Sequence, residues 1–179
     1  MKKFLILLLI IALAPLIGGL YGVLNDQLTY TISPEYYTKF KFYQFGLTDM
    51  VNEAIFTNPR IQVSKVGFMA TWWMGLPIGL ILGLIGLLHK NATQMFWSTI
   101  KAIWVTIIIA FIIGLAGLIY GKFHLAETGV DWWFPENLID TGNFIAVGSM
   151  HNFSYIGGIA GMIAGGIYSI KQKIKYTKR

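Results

Sequence analysis

The chain has 179 residues, 55% of them hydrophobic and only 12% charged, and a formal net charge of +6. A soluble domain of this size would carry roughly a quarter charged residues, so much of the surface faces something other than water. There is no Cys, which excludes disulfides, thiolate metal sites and Cys nucleophiles. The basic residues flank apolar runs instead of clustering on a recognition element, which argues against nucleic acid as a partner.

A membrane-crossing helix needs about 20 mostly apolar residues. In chain order the runs that meet or approach this are Phe4–Leu24, Val66–Leu88, Phe96–Tyr120 and Phe153–Ile170. They predict an all-α membrane protein, a four-transmembrane-helix bundle forming a single membrane domain over 1–179. The first run has a competing reading as a signal peptide, because Lys2 and Lys3 precede it and Ala12-Leu13-Ala14 mimics a cleavage site. Pro15 would then follow the cut, and apolar sequence continues to Leu24, so an uncleaved anchor kinked at Pro15 is expected.

The first long connection, 25–65, is long enough to fold. Ser33-Pro34-Glu35 reads as an N-cap, a proline at the first helical position and an early acid, and Gly46 offers a stop. The segment between them carries Tyr36, Tyr37, Phe40, Phe42, Tyr43 and Phe45 with Lys39 and Lys41. It predicts a short helix lying at the membrane surface, with a strand as competitor because TKFKF alternates. Thr48 or Asp49 could cap a second short helix containing Glu53 and ending before Asn58-Pro59. The short connection that follows the second run holds His89, expected to snorkel at a helix end. In the second long connection, 121–149, Trp132-Trp133-Phe134-Pro135 predicts a turn leading into a brief helix, with both tryptophans at the interface. The two connections together are expected to form a small outer cap.

Charge asymmetry orients the spans. Lys2, Lys3, Lys90, Lys101, Lys171, Lys173, Lys175, Lys178 and Arg179 lie on one side with no acid, and all eight acids lie in the two long connections. The positive-inside rule therefore predicts a multi-pass protein of the cytoplasmic (inner) membrane, with N- and C-termini cytoplasmic and both long connections outside. Glycines recur at four-residue spacing in every span, as in Gly18/Gly22, Gly75/Gly79/Gly83, Gly117/Gly121 and Gly157/Gly161/Gly165. Such GxxxG faces serve close helix packing inside one bundle, or a homo-oligomer interface for which the fourth span is the best candidate.

A metal site could be drawn from His124, Glu127 and His151, with Asp131, Asp26 or Glu53 as further ligands, since imidazole and carboxylate suit zinc, iron or manganese. Gly129 interrupts the ligand helix, and neither HExxH nor a paired ExxH motif occurs. No nucleophile elbow, phosphate loop or dinucleotide fingerprint is present, so nothing identifies an enzyme. The strings YGVLNDQLTYTISPEYYTKFKFYQFG, ATWWMGLPIGL and GSMHNFSYIGG resemble a family of conserved-hypothetical bacterial membrane proteins. That resemblance implies a four-span inner-membrane protein and supplies no activity, cofactor or catalytic residue. The expected function is non-enzymatic and without a cofactor: an aromatic outer surface of Tyr36, Tyr37, Phe40, Tyr43, Trp132 and Trp133 that binds lipid or a membrane-protein partner. The alternatives are a metal-dependent membrane enzyme, with zinc or iron on the His/carboxylate set, and a passive channel or transporter subunit.

Overall fold

The computed structural model describes residues 1–49 and 53–177, and every regular element among them is helical. Four helices are long and apolar enough to cross a membrane: α1 (Lys2–Ile32), α3 (Pro59–Gly86), α4 (Ala92–Thr128) and α5, which runs from Thr141 to Thr177. A shorter helical segment, α2 (34–44), lies between α1 and α3. The four long helices pack as two close pairs, α1 with α3 and α4 with α5, and the pairs touch each other more sparsely.

The glycine faces explain this division. A Cβ on Gly67 would lie 2.5 Å from the Gly22 carbonyl oxygen, and one on Gly161 would lie 2.6 Å from the Thr106 carbonyl oxygen. Both seams therefore bring backbone against backbone, a distance only glycine permits. The fourth-span glycines at 157, 161 and 165 face Ala110, Thr106 and Ala102 of the same chain. Hydroxyls tie the seams further: Thr71 donates to the Gly18 carbonyl at 2.9 Å and Thr106 to the Gly161 carbonyl at 3.1 Å.

The helices outrun the apolar segments read from the sequence. α1 passes Leu24 and continues to Ile32, while the last helix starts at Thr141, well before Phe153. At about 1.5 Å per residue, the 31 residues of α1 exceed the roughly 30 Å of a hydrocarbon core, so its final two turns lie past the apolar region. They meet the two long connections, which pack on each other there. Glu35 accepts the backbone N–H groups of Ile139 and Asp140 at 3.0 and 2.8 Å, and Lys39 donates to the Asn137 carbonyl at 2.6 Å. Tyr36, Tyr37, Phe42, Val63, Phe144 and Val147 form a buried aromatic and aliphatic core beneath them.

The segment at 34–44 is helical, not a strand. Ser33 caps it by accepting from the Tyr36 N–H, and Gly46 ends it with φ +69°. Its middle, Tyr37–Lys41, is a π-helical turn. The second short helix expected after Thr48 falls partly on 50–52, outside the described residues, and 53–58 carry no helix. The Trp-Trp-Phe-Pro stretch leads to a turn and not to a brief helix of its own. At the opposite, lysine-rich end, His89 does not snorkel. It is buried with Nε2 3.1 Å from Ser169 Oγ, while Lys3 caps the carbonyls of Leu87 and His89.

Candidate functional site

The last two turns of α1 place Asn25, Asp26 and Thr29 on one face, continuing the Gly18/Gly22 stripe at helical spacing. All three are buried, Asp26 at 1% exposure. Across from them the π-helical turn presents Tyr37, and α5 presents His151. The Tyr37 hydroxyl is 2.6 Å from Thr29 Oγ1, and Thr29 itself donates to the Asn25 carbonyl at 3.1 Å, which leaves Tyr37 as the donor between them. His151 Nε2 lies 3.5 Å from the same phenol oxygen, and the His151 ring stacks on Tyr36 with centroids 5.3 Å apart. His151 Nδ1 sits 3.9 Å from Asp26 Oδ1, too far for a hydrogen bond and a charge pair only when the imidazole is protonated. Burial, with the Asp26 charge behind it, pushes the Tyr37 phenol up, so it keeps the proton it donates. Burial pushes the Tyr36 phenol up in the same way.

Two acceptors in this cluster are unmet. Asn25 Oδ1 and Asp26 Oδ2 are sealed from solvent and have no hydrogen-bond partner among the described residues. An orphaned buried polar atom costs about 1–3 kcal/mol, more when charged; His89 Nδ1, Gln94 Oε1, Thr99 Oγ1 and Ser149 Oγ are likewise without a partner among the described residues. Lys41 is the cation of the site. It is 7% exposed, with its ammonium 5.4 to 6.0 Å from the ring centres of Tyr36, Phe40 and Phe45. Burial pulls this ammonium below its ordinary value, and the Asp26 carboxylate partly restores it.

Two clefts meet at the cluster. The central one, about 80 Å³, lies between the helix pairs and is walled by residues of all four long helices, among them Ile17, Met74, Ile107 and Gly158. Its lining is predominantly apolar, with Asn25, Thr106, His151 and Tyr155 among its polar residues. The second, about 310 Å³, opens beside the connections and is lined by Tyr36, Lys41, Gln44, Trp73 and Asn152. His151 and Tyr155 line both clefts. Tyr155 is fixed between them by donating to the Ala70 carbonyl at 3.0 Å.

Of the residues singled out from sequence, His151 belongs to this site. His124 and Glu127 do not join it. They are exposed on the extension of α4, where His124 lies against Tyr120, and the helix ends at Thr128 before Gly129 with φ +82°, which leaves Asp131 off that face. Glu53 accepts from Thr38 at 2.8 Å. No three His, Asp or Glu side chains converge on a metal position among the described residues. The aromatic surface is divided as well. Tyr36 and Tyr37 are buried, because the helix at 34–44 turns them inward onto His151 and Phe144 rather than outward. Phe40 is half-buried on Phe144, and Trp132 packs over Gly148. Tyr43 and Trp133 stay exposed and line a groove of about 620 Å³ between the connections.

Asn25, Thr29, Lys41 and Tyr155 escaped sequence reasoning as site residues. The available signal was spacing: polar residues at 25, 26 and 29 prolong the small-residue stripe at 18 and 22. No family model, curated protein or solved structure matches the chain.

Proposed function

We propose that this is a non-enzymatic multi-pass protein of the cytoplasmic membrane, with cytoplasmic termini and the packed connections forming an outer cap, that binds an amphiphile between its two helix pairs. The observation that carries this reading is the central cleft, predominantly apolar along its walls with Asn25 and His151 among its polar lining residues. A lipid chain gains little hydrophobic free energy on moving from bilayer to protein, since both surroundings are apolar. Packing favours binding: filling about 80 Å³ of unfilled space at about 24 cal/mol per Å³ contributes roughly 2 kcal/mol.

A passive conduit is less well supported. Toward the lysine-rich end the bundle is filled by a closed core of Ile10, Leu82, Met95 and Ala102, which suits a blind site better than a pore.

Gly158 supplies the test. A Cβ there meets the Met74 methyl at 3.5 Å, an ordinary contact, so Gly158→Leu projects into the cleft without striking backbone. Native mass spectrometry of detergent-extracted protein is expected to show an amphiphile adduct on the wild type and its loss in Gly158→Leu. An adduct of equal occupancy in both would remove the central cleft as the binding site.

A further inference from the structure

The clefts share His151 and Tyr155 in their linings, so the second lies beside the polar residues of the central one. What a ligand's polar end meets there is decided by charge. Asp26, the acid of the cluster, lines neither cleft, whereas Lys41 lines the second. Among the described residues the Lys41 ammonium makes no hydrogen bond and has no carboxylate within 4.0 Å, the limit at which the Lys39–Glu53 pair is found. Its neighbours are the three aromatic rings, which stabilise a cation but accept none of its N–H groups as an oxygen would. A largely buried lysine whose ammonium makes no protein hydrogen bond and opens on a cleft is a candidate anion site. Gln44 and Asn152, on the same walls, add amide donors.

We propose that the second cleft binds the carboxylate head of a single-chain amphiphile through Lys41, with the chain passing His151 and Tyr155 into the central cleft. This rests on the amphiphile reading above. A carboxylate fits better than a phosphate monoester, because the single ammonium already shares its field with the Asp26 carboxylate and a phosphate near −2 would leave more excess negative charge there. A cationic head is disfavoured by the same ammonium. One chain fits better than two in a volume of about 80 Å³, only several times the roughly 10–15 Å³ that one water needs.

The test uses the purified full chain in non-ionic detergent and four tritiated probes of one chain length: hexadecanoate, hexadecanol, hexadecyl phosphate and hexadecylamine. The wild type is expected to bind hexadecanoate about tenfold more tightly than hexadecanol, the scale of one charge-assisted hydrogen bond. Lys41→Met and Lys41→Gln should both bring hexadecanoate down to the hexadecanol level and leave hexadecanol unchanged, while Lys41→Arg keeps the preference. Equal binding of acid and alcohol by the wild type, or a preference that survives Lys41→Met, overturns the Lys41 assignment and leaves the amphiphile reading standing. Tighter binding of the phosphate or the amine overturns the choice of carboxylate. Failure of all four probes to bind the wild type overturns the amphiphile reading itself.

Discussion

Gly161 and Gly158 sit one turn apart on α5 and do opposite things. Gly161 lets α5 rest on the backbone of α4, with no room for a methyl group against the Thr106 carbonyl. Gly158 faces the gap between the helix pairs, where a methyl group would meet only ordinary contact with Met74. The seams within the pairs are closed to the backbone, and the space between the pairs stays open. Small residues in a membrane helix thus have two uses, close packing and the clearing of space, and the GxxxG spacing alone does not separate them.

The largest effect that sharpens this contrast comes from the seam. Gly161→Leu forces a side chain into the α4 backbone and is expected to cost about 3 kcal/mol or more, read as a fall in the thermal midpoint of tryptophan fluorescence in detergent. Survival of the midpoint would mean the pairs are not held by this contact.

Next in size is the bond between the two connections. Burial alone would raise the Glu35 carboxyl, but the Lys39 ammonium and the backbone N–H groups of Ile139 and Asp140 outweigh it and hold the group below the usual carboxylate range. Glu35→Ala is expected to cost about 2 kcal/mol. Because the folded value is the lower one, this stabilisation is complete above the ordinary value of 4.5. It is lost as pH falls below that point and through the folded value. The difference between wild type and Glu35→Ala should therefore narrow with acidification below about 4.5. A gap that widens there would contradict the assignment.

The smallest stability effect belongs to Gly158→Leu. Its side chain enters free volume, so the midpoint should move by no more than about 1 kcal/mol equivalent. A loss as large as that of Gly161→Leu would erase the distinction between seam and cleft.

Much of this architecture was legible in the sequence, because hydropathy and glycine spacing are local signals. The four long apolar helices, the Ser33 cap and the Gly46 stop follow from residues near one another in the chain. The site was harder to see because its parts are remote. Hydropathy stops at Leu24, yet α1 continues to Ile32, with Thr29 meeting Tyr37 and Asp26 facing His151 more than a hundred residues away. Tyr36 and Tyr37 look like surface in an aromatic run with lysines, and only packing against α5 shows that they are interior. His124 and Glu127 share a helix face as their spacing suggested, but that face is exposed and Gly129 cuts it short. Lys41 resembled any interfacial lysine until its burial among three rings was known.

The central claim is that an alkyl chain lies between the helix pairs, and photo-crosslinking tests it most directly. A diazirine placed mid-chain on a long-chain carboxylate, activated in membranes and mapped by peptide sequencing, should label cleft-lining positions such as Met74, Ile78, Ile103 and Ile107. That labelling should vanish in Gly158→Leu. Label confined to exposed positions such as Leu80, Trp104 and Ile112, and unchanged by the substitution, would show the chain lying around the bundle and contradict the account.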